Sequence, residues 1–153
     1  MRKRTEAIAA ITLASILCLG ADGQTSTSRA ERELFASINQ ARRANGLPPL
    51  RWDESLAIAA RRHAEVMGDH RSAQHGFGGE PGLSARAKLA GAHFIWLSEN
   101  VIEGPSPVFI YAEFMNSPSH RANILDRDMD SIGVGAVERG GEIFAVEDFS
   151  QAR

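Results

Sequence analysis

The chain has 153 residues, of which 43% are hydrophobic and 24% charged, with a net charge of −2 at pH 7. That length and apolar share suit one compact domain. The mildly acidic balance argues against a nucleic-acid partner, which calls for concentrated Lys and Arg.

The N-terminus reads as an export signal over residues 1–20. Arg2, Lys3 and Arg4 form a basic start, and Ala7 to Leu19 form an apolar stretch too short for a comfortable membrane span. Cys18 and Gly20 are the small residues expected before a cleavage site, so the exported chain is expected to begin near Ala21. Leu17 is a poor neighbour for lipid attachment at Cys18, which is the single cysteine. Removing residues 1–20 leaves 133 residues without cysteine, and the net charge becomes −4 once Arg2, Lys3, Arg4 and Glu6 are gone. Such a domain holds itself by its core rather than by disulfides. No long apolar run remains after residue 20, so no transmembrane segment is expected there.

Residues 21–27 read as a short flexible leader. Ser28-Arg29-Ala30-Glu31 fits a capping box, and Leu34, Phe35, Ile38 and Ala41 then fall on one helical stripe that Gly46 ends. Leu47-Pro48-Pro49-Leu50 must be extended. Asp53 caps a second helix over residues 54–67, with Leu56, Ala59, Ala60, Ala64 and Met67 facing inward. Glycines 68, 76, 78 and 79 mark a loop. Pro81 opens a short helix that reaches Ala90 and stops at Gly91. Phe94 to Ile102 is β-rich. Ser106 and Pro107 open a further apolar helix, which Pro118 ends near Ser117. The tail alternates as two strands about the turn Arg139-Gly140-Gly141. Helices first and a terminal hairpin last give an α+β class.

Three polar islands interrupt these apolar elements: Gln74-His75-Gly76, Ser98-Glu99-Asn100 and Ser117-Pro118-Ser119-His120-Arg121. Nothing in helix or strand formation requires His75, Glu99 or His120 at these places. The remaining polar residues have structural readings. His63 belongs at the edge of the core, and Asn100 fixes backbone near Glu99. Arg121 and Asn123 tie the turn to the sheet, Trp96 and Tyr111 are core candidates, and His70 and His93 have no constellation. A serine hydrolase is a poor fit, because no Gly-x-Ser-x-Gly elbow occurs and Ser84 and Lys88 are four apart. No His-Glu-x-x-His or phosphate-binding loop occurs either.

The ordered set Ile38-Asn39-Gln40-Ala41-Arg42, Gly46-Leu47-Pro48-Pro49-Leu50, Ser98-Glu99-Asn100, Ser117 to Leu125, Ile132-Gly133-Val134-Gly135 and Val146 to Phe149 resembles the CAP superfamily. That group comprises cysteine-rich secretory, antigen 5 and pathogenesis-related type 1 proteins, also called SCP-like. The likeness spans about Glu31 to Phe149 and is strongest to the short bacterial branch. It implies a CAP domain over residues 28–153, built as a three-layer α-β-α sandwich with a small antiparallel sheet and a C-terminal β-hairpin. It further implies a secreted, extracytoplasmic protein with a central cleft of two histidines and two glutamates, where some members bind Zn2+ or another divalent cation. His75, Glu99 and His120 match three of those positions and are the metal candidates. Ser117 stands where the second glutamate would be, so an ion would be held weakly. The reading is then a binding module with a cleft lined by His75, Glu99, Ser117 and His120, open to a small-molecule, lipid or cell-envelope ligand. The alternatives are a peptidase-like hydrolase using His120, Glu99 and His75, and an envelope interaction protein with a vestigial cleft.

Overall fold

The computed structural model describes residues 27–152. The expected export signal and most of the leader lie outside the described residues. Five helices and four strands follow in chain order: α1 Arg29–Ala44, β1 Arg51–Trp52, α2 Glu54–His70, α3 Leu83–Leu89, β2 Phe94–Gly104, α4 Pro107–Asn116, α5 Pro118–Ile124, β3 Ser131–Arg139 and β4 Glu142–Ala152. The sheet runs β1-β3-β4-β2. β3, β4 and β2 are antiparallel neighbours, and the two-residue β1 adds a parallel pair on β3.

Local chemistry sets most boundaries. The Ser28 hydroxyl accepts the Glu31 N–H at 3.1 Å while Glu31 accepts the Ser28 N–H at 2.8 Å, completing the capping box of α1. Asp53 caps α2 through the Leu56 N–H, and Ser106 caps α4 with Pro107 in its first turn. Gly140 and Gly141 both have positive φ, which a two-residue hairpin loop of type I′ demands. Three helices differ from the sequence reading. α3 begins at Leu83 with Gly82 as its N-cap, so Pro81 precedes the helix rather than opening it. α2 runs on to His70, past Gly68, and its left-handed stop is Arg71. The segment after Ser117 is a two-turn helix, α5, rather than a turn, because Pro118 ends α4 and also suits the first position of a new helix.

Helices cover both sheet faces. Leu34, Ile38, Ile110, Phe114 and Ile124 from α1, α4 and α5 pack on Ile132, Val134, Ala145 and Phe149. Ala60, Ala64 and Met67 of α2 pack on Val101, Phe144 and Val146 of the opposite face. The result is the α-β-α sandwich. On the second face α2 approaches β3 at backbone distance. A Cβ on Gly133 would lie 2.1 Å from the Ala57 nitrogen, and one on Gly135 would lie 2.3 Å from the Ala60 carbonyl carbon. Gly133→Ala is therefore expected to force α2 off the sheet and lower stability by about 1–3 kcal/mol. Urea denaturation reads this directly; an unchanged midpoint would mean that α2 packs more loosely than described.

Candidate functional site

The site is built around Glu99, in the middle of the edge strand β2. Alternation along β2 and β4 sends Glu99 and its cross-strand partner Asp148 toward α2 and α3, and Asn100 and its partner Glu147 toward α4 and α5.

On the first side, His75 Nδ1 lies 2.9 Å from Glu99 Oε1. The other oxygen, Oε2, accepts from Arg86 Nη2 of α3. Arg86 is itself buried and also donates to the His75 carbonyl at 3.3 Å and the Pro81 carbonyl at 3.2 Å. One guanidinium thus holds both the carboxylate and the backbone of the histidine that meets it. His63 holds the same loop from α2. Its Nδ1 lies 2.7 Å from Glu80 Oε1 and its Nε2 lies 2.9 Å from the Gln74 carbonyl. Both ring nitrogens are thus occupied by the two ends of the loop that carries His75. His63 is fully buried and lies 4.0 Å from Glu99 Oε2, so it belongs to the support of the site and not merely to the core edge. Asp148 is also fully buried. Burial first, and then the neighbouring Glu99 charge, push its carboxyl well above the ordinary aspartate value, while Arg86 pulls the other way.

On the second side, two asparagine amides stitch α5 to β2. Asn100 Nδ2 donates to the His120 carbonyl at 3.1 Å and to Glu147 Oε2 at 3.0 Å. Asn123 Nδ2 donates to Asn100 Oδ1 at 2.8 Å and to the Glu99 carbonyl at 3.3 Å. Glu147 is fully buried, and burial raises its carboxyl to about 8, against the lowering effect of the Asn100 bond. The His120 ring meets Phe114 edge-on at 5.1 Å, and its Nδ1 is buried with no hydrogen-bond partner among the described residues. Burial, and then the charge of His75, lower the His120 pKa from 6.5. The ring is therefore neutral at pH 7.

His75 and Glu99 are thus in direct contact, and His120 is near enough to His75 for their charges to repel. The Ser117 hydroxyl lies 3.2 Å from that of Ser119 at the start of α5, the helix that carries His120. His70 bonds the Val66 carbonyl of its own helix, and His93 is exposed. Trp96, expected in the core, is 63% exposed, whereas Tyr111 is half-buried. The sequence reading missed Arg86, Asp148 and Glu147. Their signal was weak: a charged residue within an apolar stripe at Arg86, and two adjacent acids inside a buried terminal strand. The His75 and His120 imidazoles are the groups that would hold a divalent ion here, with Glu99 orienting His75. No group of three His, Cys, Asp or Glu side chains among the described residues is arranged to hold one.

A mixed sheet between two helical layers, with a buried His/Glu cluster at its edge strand, is the architecture of the SCP-like class. The model of the "CAP: Cysteine-rich secretory protein family" matches residues 35–149, and the chain belongs to that family. It is 32% identical over 117 residues to YkwD of Bacillus subtilis (strain 168), an uncharacterized protein, covering 76% of this chain and 46% of that one. The chain thus spans less than half the length of this curated relative. An extracellular SCP-domain protein of Bacillus anthracis superposes with a TM-score of 0.74 at 25% identity, over 80% of this chain and 40% of that chain. An outer surface protein of Borrelia burgdorferi shares the fold with a TM-score of 0.76 at 23% identity, over 83% of this chain and 96% of that one.

Proposed function

We propose that the chain is an extracytoplasmic binding module whose ligand enters the cleft over Glu99, between His75 and His120. The observation that carries this reading is the state of Glu99. One of its oxygens faces His75 Nδ1 and the other takes the Arg86 guanidinium. A carboxylate held by a guanidinium on one oxygen and facing an imidazole with the other is suited to orient that imidazole. Glu99 thus serves as the anchor that orients His75, whose ring is largely exposed. The cleft then offers two imidazoles to a polar group of a small molecule, a lipid or an envelope component. Zn2+ or another divalent cation would be held weakly by the same rings. Family membership and the basic-then-apolar start of the chain support an extracytoplasmic location. The domain assignment, residues 28–153, is part of the same reading.

The second reading is a hydrolase. The observation in its favour is His120, whose neutral ring is able to accept a proton at pH 7. Calorimetric titration with zinc, on wild type, His120→Ala and Ser117→Glu, tests the cleft. Wild type is expected to bind weakly, and more weakly as pH falls through the histidine range, since a protonated imidazole cannot ligate. His120→Ala is expected to lose binding, and Ser117→Glu to tighten it by adding an anionic oxygen. Equal binding by all three would place the ion elsewhere. The same proteins and Glu99→Gln belong in a peptidase and esterase screen, with no turnover expected. Turnover that vanishes in both His120→Ala and Glu99→Gln, with folding intact, would replace the binding module by the hydrolase.

A further inference from the structure

The Nδ1 atoms of His75 and His120 meet opposite surroundings. His75 Nδ1 lies 2.9 Å from Glu99 Oε1, and the Arg86 guanidinium donates to the other oxygen of the same carboxylate. A carboxylate held by a guanidinium only accepts, so the proton between Glu99 and the ring belongs to His75 Nδ1. In the neutral ring, Nε2 then carries a lone pair. The His75 side chain is 64% exposed, which leaves that lone pair open to a ligand.

His120 has no such anchor. Its Nδ1 is buried without a hydrogen-bond partner among the described residues, and its ring meets Phe114 edge-on at 5.1 Å. Phe114 belongs to the apolar cluster that α1, α4 and α5 build on the sheet. The Asn100 amide, which reaches this residue, is spent on the His120 carbonyl and on Glu147. A neutral imidazole has one proton to place. On Nδ1 it would leave an N–H among apolar groups, with the Phe114 ring as its best and weak partner. On Nε2 it leaves only a lone pair there, and a buried N–H without an acceptor is the costlier of the two. His120 is half-buried and Nε2 is not among its buried atoms, so a proton on Nε2 reaches solvent.

We propose that the two rings are held in opposite tautomers, His75 protonated on Nδ1 and His120 on Nε2, so that the site offers a ligand one acceptor and one donor. The proposal rests on the reading of this site as a binding cleft and names the group it takes: neutral, with a donor beside an acceptor, as in a primary amide or a hydroxyl. An acceptor-only anion has no hydrogen to give His75 Nε2 and meets its lone pair. A divalent cation needs a lone pair on both Nε2 atoms, so it binds only after the His120 proton has moved to the buried Nδ1. That cost is a reason for weak metal binding besides the missing second glutamate. In the hydrolase alternative the proton acceptor is His75 rather than His120.

Long-range proton–nitrogen correlation spectra of the isotope-labelled full chain test it, at about pH 8, above the ordinary histidine range. His75→Gln and His120→Gln assign the two rings by the loss of their signals. Wild type is expected to show His75 with Nδ1 at the protonated-nitrogen position and Nε2 at the lone-pair position, and His120 the reverse. Glu99→Gln is expected to release His75 into an average of both forms and to leave His120 unchanged. Acetamide and acetate, alike in shape but only the first carrying a donor, are then titrated at equal concentration and ionic strength. Acetamide is expected to shift both Nε2 signals to saturation, and acetate neither. A proton on His120 Nδ1, an averaged His120 ring, or the same tautomer in both rings would each overturn the proposal. So would acetate shifting the rings as far as acetamide. The expected tautomers with no response to acetamide would instead overturn the reading of the site as a binding cleft.

Discussion

Arg86→Ala is expected to lower the stability of the fold by about 3–5 kcal/mol, the range for breaking a buried ion pair from one side. Arg86 is 6% exposed, bonds Glu99, and lies 3.9 Å from Glu80. Its removal leaves the Glu99 carboxylate buried beside Asp148 without its cation. It also frees the carbonyls of His75 and Pro81. Arg86→Lys is not a rescue, since one ammonium cannot span Glu99 and two backbone carbonyls at once. A urea midpoint for Arg86→Ala matching wild type would show that Glu99 is compensated by something other than Arg86. The double variant Arg86→Ala/Glu99→Gln is expected to recover part of the loss, because the stranded charge goes with it.

Glu147→Gln is expected to stabilise the protein at alkaline pH and leave it nearly unchanged in acid. The folded-state value near 8 lies above the ordinary 4.5, so the folded chain binds this proton more tightly than the unfolded chain. The stability it contributes is therefore present in full below pH 4.5 and is lost as pH rises through 8. Glutamine keeps the shape, stays neutral, and still offers an oxygen to Asn100. At pH 9 the variant is expected to exceed wild type by several kcal/mol, on the order of 3–5. Urea midpoints of the two proteins between pH 5 and pH 9 check this. A constant difference across that range would mean that Glu147 is not the group that titrates. Asp148 shifts in the same direction, but it is common to both proteins and cancels from the comparison.

The sequence disclosed those parts of the fold whose causes are local. The capping box at Ser28, the caps at Asp53 and Ser106, the turn at Gly140-Gly141 and the break at Pro118 each depend on residues within a few positions of one another. His75, Glu99 and His120 stood out because each is polar where its element is otherwise apolar. What stayed hidden is long-range. Arg86 reaches Glu99 over 13 positions, His63 reaches Glu80 over 17, and Asn100 reaches Glu147 over 47. No periodicity marks such pairs, and a charged residue on a helix stripe reads as solvent-facing until the fold turns it inward. Trp96 failed in the opposite sense: β-propensity put it on a strand, but only the register shift beside Phe94 leaves it in solvent.

The close approach of α2 to Gly133 and Gly135 reaches beyond the core. His63 stands one helical turn past the Ala60–Arg61 backbone that rests on Gly135, and His63 in turn fastens Gln74 and Glu80 on either side of His75. The position of His75 is thus referred, through one helix, to the bare backbone of β3, two strands away from Glu99. Filling either glycine is therefore expected to alter the aim of His75 while every residue around Glu99 stays the same.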